Sequence, residues 1–207
     1  MNIFKVNWFR FLKYNFFTKR ITREKKKFVV PYWGSKIIAD KGSTLILNGN
    51  LHLGLDNIQS KRRNTIIELK TNSKFICGGY LNVCKGTLIF VEKDAILEIG
   101  GGGINTDSFI KTKQHISIGS GVQISRDVII RDDDGHLILK NGYVESKPIV
   151  IGDNVWLCER SCVLKGSTIG NSVVVGYGAI ITSNIPDKKV AVNKLNLVTI
   201  EIDGWRK

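Results

Sequence analysis

Cut every six residues, the segment 151–186 reads IGDNVW, LCERSC, VLKGST, IGNSVV, VGYGAI and ITSNIP. Ile151, Leu157, Val163, Ile169, Val175 and Ile181 share one phase of this repeat. Val155, Ser161, Ser167, Val173, Ala179 and Ile185 share another, which holds only small or aliphatic side chains. Neither an amphipathic helix nor a half-buried strand has that period. A chain that turns a corner every six residues does, because each flat side carries one large inward residue and a smaller one near the bend. Stacked coils of this kind form a parallel β-helix, with backbone groups paired to the coils above and below at roughly 4.8 Å.

Upstream the same habit is less regular. Leu45 stands six before Leu51, Leu47 six before Leu53, and Val91 six before Leu97; Ile104, Ile110 and Ile116 are in step, after which the phase moves to Ile118, Ile124 and Ile130. At three hexads to a coil, residues 35–186 predict on the order of seven or eight turns and one continuous core. The polar run 56–64, DNIQSKRRN, reads as a bulging loop, and the four glycines 100–103 as corner residues, since no phosphate-loop context surrounds them.

The chain of 207 residues carries a formal net charge of +13, and much of the excess sits at one end. Residues 1–30 hold Lys5, Arg10, Lys13, Lys19, Arg20, Arg23, Lys25, Lys26 and Lys27 against the single acid Glu24. Residues 2–18 mix such basic side chains with Trp8, Phe9, Phe11, Leu12, Phe16 and Phe17, which predicts a short amphipathic helix. That helix packs either on the first coils or a neighbouring subunit, or on an anionic membrane surface through residues 1–27. The run TREKKKF then reads as a polar joint, giving a division into 1–34, a β-helix over 35–190, and a C-terminal strand and tail over 191–207. Nucleic-acid binding has the charge but no matching motif. No apolar run is long enough to span a bilayer and no signal peptide is evident, so the expected location is cytoplasmic or peripheral at the inner face of the membrane. Cys77, Cys84, Cys158 and Cys162 lack the paired spacing of a zinc site and read as packing residues in a reducing compartment; no metal is expected.

One break in phase singles out a candidate site. Ile118, Ile124 and Ile130 predict an aliphatic residue at 136, and the sequence supplies His136 at the end of RDDDGH. The in-phase hexads resume only at Ile151, so the chain leaves the coil over 137–147. A histidine where a loop departs from a rigid scaffold is well placed to act as a base. His52 and His115 sit inside repeats and read as structural or solvent-facing.

The hexads, especially IVIGDNVW followed by VLKGSTIGNSVVVGYGAIITSNIP, resemble the hexapeptide-repeat acyltransferases. The acidic run ending in Gly-His, the loop, and the Pro-Ile-x-Ile-Gly segment with Val-Trp resemble in particular the sugar O-acetyltransferases of bacterial capsule and surface-polysaccharide gene clusters. The resemblance implies an all-β left-handed parallel β-helix, usually a homotrimer, with acetyl-CoA as co-substrate and a sugar or glycan as acceptor. It implies that His136 is the general base and that Asp132 and Asp134 match the family's acidic positions, where they would orient the imidazole, stabilise its protonated form or bind acceptor hydroxyls. Trp156 matches the position beside the acyl-CoA groove, Gly176, Gly178 and Ala179 the segment along which the pantetheine arm runs, and Lys165 a position that could meet a phosphate. At the C-terminus the chain departs from the family. Val192, Lys194, Leu195 and Asn196 replace the expected Gly, Pro, Ala and Lys, which leaves Lys188, Lys189 or Lys194 to contact the nucleotide end.

The function expected is O-acetylation of a sugar hydroxyl of a surface polysaccharide or its precursor. The alternatives are N-acylation of a nucleotide amino sugar or acetylation of a xenobiotic. From another class comes a non-catalytic solenoid that binds glycan or protein.

Overall fold

The computed structural model describes residues 5–55, 60–62 and 64–193. Three parallel sheets of seven, eight and seven strands form the faces of a prism. Up to Ile180–Ile181 the strands follow one another in the order sheet 1, sheet 2, sheet 3, and then sheet 1 again one coil further on, and the last strand, Val190–Ala191, adds to sheet 2. The hexad phase is what the backbone obeys: Ile151 pairs with Ile169, Leu157 with Val175 and Val163 with Ile181. All six large residues of that phase are buried, as are Val155, Ser161, Ser167, Val173 and Ala179 beside the bends. The inward rows merge into a single apolar core running the length of the prism, with Phe75, Leu97, Ile116 and Ile149 among its fully buried members.

Corners need a backbone that reverses within a few atoms. Asp94, Asp107, Asp127, Asn154 and Ser172 take φ values of 54° to 64° there, a region that Asp and Asn tolerate better than branched residues. Of the four glycines at 100–103, the last two lie inside a strand, Gly102–Ile104. A Cβ on Gly102 would stand 2.0 Å from the Val122 carbonyl oxygen, so close stacking of coils is what requires glycine there.

The solenoid begins earlier than the sequence division suggests. Ile21–Arg23 and Val29–Pro31, in the stretch read as helix and polar joint, are already edge strands of sheets 1 and 2, with Val29 fully buried. The helix is correspondingly short, Trp8–Leu12 continued by a π-helical turn Lys13–Phe17. It closes the open end: Asn15 bonds both the amide and the carbonyl of Val29 (2.9 and 2.8 Å), and the Ile37 amide donates to the Tyr14 hydroxyl (2.9 Å). Those side chains satisfy strand edges that would otherwise lie bare. Residues 60–62 of the polar loop fold back over a corner, where Ser60 and the amides of Lys61 and Arg62 donate to the Asp107 carboxylate. Residues 56–59 and 63 of that loop lie outside the described residues, as does 194–207, with Lys194, of the strand and tail expected at 191–207. Among the described residues no helix is long and apolar enough to cross a membrane.

Candidate active site

Arg131 ends the sheet 3 strand Ile129–Arg131, and the chain returns to the prism at Ile149–Ile151 of sheet 1. The excursion between them runs over 132–148, with its root at the three aspartates. Their roles differ from those expected. Asp132 is fully buried, and its carboxylate accepts the backbone N–H groups of Lys113, Gln114 and His115 (2.6, 2.8 and 2.8 Å). Three of its lone-pair positions are committed to the turn in the coil beneath, so it is a fastener of the scaffold and not a group free to orient an imidazole. Nor is Asp133 solvated. Its Oδ1 accepts from Arg131 Nε and Nη2 (3.1 and 2.7 Å) and its Oδ2 from Lys111 Nζ (2.7 Å), with the side chain 1% exposed. Burial pushes its carboxyl up, but the hydrogen bonds from Lys111 and Arg131 outweigh this and leave it below its ordinary value. Asp133 also bridges to Ser146 in the antiparallel sense, which ties the two ends of the excursion together.

Of these three aspartates only Asp134 is at the surface. It takes hydrogen bonds from the Lys165 ammonium and the Tyr143 hydroxyl, and these two contacts hold its carboxyl below the ordinary value. The same bonds raise Lys165 and Tyr143. Lys165 further donates to the Val144 carbonyl (2.6 Å) and lies 4.3 Å from the Tyr143 ring centroid. Lys165, which by resemblance could meet a phosphate, is thus occupied within this chain by the loop. The reason is topological: residue 165 turns the corner directly above the loop's root, since Arg131 pairs with Leu164. Tyr143, which the sequence reading did not single out, also contacts the His136 carbonyl oxygen (3.2 Å) and so shares its one hydroxyl hydrogen between the loop's two functional candidates. His136 itself is exposed at this corner. Lys140, Tyr143, Val144, Lys147 and Lys165, among others, line a cleft of about 340 Å³ on the loop, and His136 is not part of its lining.

The remaining candidates lie elsewhere on the prism. Trp156 projects from sheet 2, half exposed, its Nε1 donating to Ser125 Oγ (3.0 Å). It forms one end of a groove of about 570 Å³ lined by Asn82, Gly103, Asn105, Gln123 and Ser125 among others. The register explains the groove, because Asn82, Gly103, Gln123 and Trp156 are successive outward residues of one row, and Gly103 leaves a notch between longer side chains. Asn82 Oδ1 is buried there without a hydrogen-bond partner. One row of stacked residues, spread over four coils, is not a pattern that hexads reveal before the coil lengths are known.

Gly176, Gly178 and Ala179 turn the corner between sheets 2 and 3. Ala179 is buried in the core, so its side chain lines no groove, and its amide and carbonyl already bond Gly176 and Cys162. Gly178 has open space where a Cβ would stand, while Val192 packs over Gly176, and Asn193 bonds the Gly178 carbonyl (3.1 Å) and the Ile180 amide (3.2 Å). The chain therefore carries His136 and Lys165 at one corner, Trp156 on another face, and the glycines at a second corner. Among the described residues no cluster of His, Cys, Asp and Glu could hold a metal.

No family model matches the chain. Curated relatives match over the repeats: galactoside O-acetyltransferase of Escherichia coli K12 is 38% identical over 95 residues, which is 44% of this chain and 47% of that one. The protein named "Putative lipopolysaccharide biosynthesis O-acetyl transferase WbbJ", also of Escherichia coli K12, is 28% identical over 136 residues, covering 49% of this chain and 69% of the relative. The chain spans about half the length of the first of these relatives. Among solved structures, the polysialic acid O-acetyltransferase OatWY superposes with a TM-score of 0.56 at 22% identity, over 90% of this chain and 92% of that one. The fold is the left-handed parallel β-helix. The chain is similar to the hexapeptide-repeat acetyltransferases, as its hexads and loop suggest.

Proposed function

We propose that the chain is an acetyl-CoA-dependent O-acetyltransferase acting on a sugar hydroxyl of a bacterial surface polysaccharide or its precursor. The observation that carries this reading is an exposed histidine, His136, at the point where a loop leaves the β-helix, above a root in which the carboxylates of Asp132 and Asp133 are buried and hydrogen-bonded. Such a root fixes the loop's origin without competing for the imidazole. In the reaction His136 takes the proton of the acceptor hydroxyl as that oxygen attacks the thioester carbonyl, and returns it to the departing thiolate. Asp134 orients the loop through Tyr143 and Lys165 instead of touching the ring. Trp156 borders the donor, and the amides of Asn82, Asn105 and Gln123 offer donors and acceptors suited to sugar hydroxyls.

In this reading the enzyme is a homotrimer. Past Lys36 in the first coil, the outward row of sheet 3 is apolar, Ile66, Leu88, Phe109, Ile129, Cys162 and Ile180, and Leu137, Ile138 and Leu139 of the loop are exposed, which supports burial against further copies. A neighbouring copy would also bring together the corners that one protomer keeps apart. The N-terminal segment makes peripheral contact with the inner face of the membrane.

Transfer from labelled acetyl-CoA to candidate glycans tests the reading. His136→Ala is expected to lose roughly 10²- to 10⁴-fold in turnover while retaining the fold and CoA binding. An alkali-labile product identifies the ester, and an alkali-stable one moves the reaction to amide formation on an amino sugar. Turnover unchanged in His136→Ala refutes the assignment. Val192 and Asn193 lying over the Gly176–Gly178 corner favour a second reading, a glycan-binding β-helix without transfer, for which neither protein shows turnover.

A further inference from the structure

The lid on the N-terminal end of the prism has two unlike sides. Its inner side is fixed to the first coil, with Tyr14 in the core and Asn15 bonded to Val29. Its outer side carries Trp8, Phe9, Leu12, Phe16 and Phe17, all at least half exposed, with Phe9 and Phe17 at 78%. Trp33, in the same coil, is exposed as well. Closing a β-helix needs the inner side only; five large apolar side chains left in water on the outer side are an interaction surface. Around them stand the exposed Lys5, Lys13, Lys19, Arg20, Lys25 and Lys26, with Glu24 the one acid among residues 5–33. Arg23 lies over the rings of Phe16 and Phe28, 5.2 and 5.0 Å from their centroids.

We propose that this lid docks on an anionic lipid bilayer, its aromatic rings at headgroup level, and thereby stands the prism upright and holds the transfer site at a fixed height. Charge selects this occupant over a second copy, because two lids face to face would oppose like charges, whereas an anionic bilayer complements them. The height follows from the strand order. Along sheet 3 the strand that precedes His136, Ile129–Arg131, is four steps from the first, Ser35–Ala39. At roughly 4.8 Å per step the loop's root lies about 19 Å above the first coil. Resting on the O-acetyltransferase reading, the acceptor is then a lipid-linked glycan whose reactive sugar stands well clear of the bilayer, and not the sugar joined directly to the lipid phosphate.

Sedimentation of the full chain with phosphatidylcholine vesicles, with and without about a third phosphatidylserine, tests the docking. Binding is expected to the anionic vesicles and to be lost at about 1 M salt, where the Debye length is about 3 Å. Lys13→Gln, Lys19→Gln and Lys25→Gln should each lower partitioning about fivefold. The combined Phe9→Ser, Phe16→Ser and Phe17→Ser variant should lower it about tenfold or more, with an unchanged melting temperature. Equal binding to neutral vesicles, or wild-type binding by the phenylalanine variant, overturns the proposal; a fall in that variant's mass by light scattering assigns the face to a second copy instead. With Cys158 and Cys162 replaced by Ser, energy transfer to labelled lipid should be weaker from a dye on Leu139→Cys than from one on Lys25→Cys, and equal transfer overturns the upright orientation. These readouts need no catalysis. Acetylation of vesicle-anchored glycans should require a long spacer, and equal rates at every spacer length overturn the height. Absence of transfer even to soluble glycans counts against the enzymatic reading and leaves the docking result standing.

Discussion

Asp133→Asn changes one atom at the root of the loop that carries His136, and the structure gives the size of its effect. Oδ1 of Asp133 faces two N–H groups of Arg131 and Oδ2 faces the Lys111 ammonium at 2.7 Å. An asparagine presents an amide NH₂ to one of these cations, donor against donor, in a site where the side chain is 1% exposed. Removing one member of a buried ion pair costs about 3–5 kcal/mol. Lys111 and Arg131 keep some access to water, and Lys111 retains Glu92 at 4.0 Å, so the expected cost is lower, about 2–3 kcal/mol. For 207 residues that corresponds to a fall in melting temperature of roughly 4–12 °C. The pH dependence identifies the cause. The folded-state pKa of Asp133 is depressed, so its contribution is fully present above the unfolded value of about 3.9 and disappears as pH falls through the folded value. The gap between wild type and variant should therefore be constant from pH 7 to 5 and should narrow below about pH 4. Scanning fluorimetry of both proteins across that range measures it. A variant that melts within about 1 °C of wild type at pH 7, or a gap that does not narrow in acid, refutes the clamp.

Gly102→Ala should destabilise the prism by several kcal/mol, since φ is +133° and the new Cβ would meet the Val122 carbonyl oxygen at 2.0 Å; a urea midpoint equal to wild type would contradict the close stacking. Burial pushes the Cys77 thiol up to about 12, so at pH 8 a thiol reagent should label the partly exposed Cys158 well before Cys77, with all four reacting in denaturant. Prompt labelling of Cys77 in the native protein would contradict its burial.

The hexads disclose the inward face because a side chain's direction depends on its distance from the last corner, a local property. For that reason Ile151 through Ile181 were legible to the residue. Ile151 pairs with Ile169 after three full hexads, whereas Phe75 to Leu97 and Leu97 to Ile116 take more, which is why the upstream phase drifts while the fold does not. Relations between coils are another matter, since they depend on register accumulated across irregular corners. Asp132, Asp133 and Asp134 are adjacent in sequence and chemically identical, yet their fates are decided by what the neighbouring coils present: three amides at 113–115, the Lys111 ammonium, and Lys165. Once the pairing of Arg131 with Lys111 below and Leu164 above is known, the partners of Asp133 and Asp134 could have been named from the sequence. The same register builds the groove from Asn82, Gly103, Gln123 and Trp156, four residues that no linear motif joins. A solenoid's core is thus written along the chain and its surface sites are written across it. For this protein the cross-coil contacts at the loop's root make Asp132 and Asp133 fasteners of the scaffold and tie Asp134 to Lys165 and Tyr143, and they leave His136 exposed, which is why the proposed reaction rests on it.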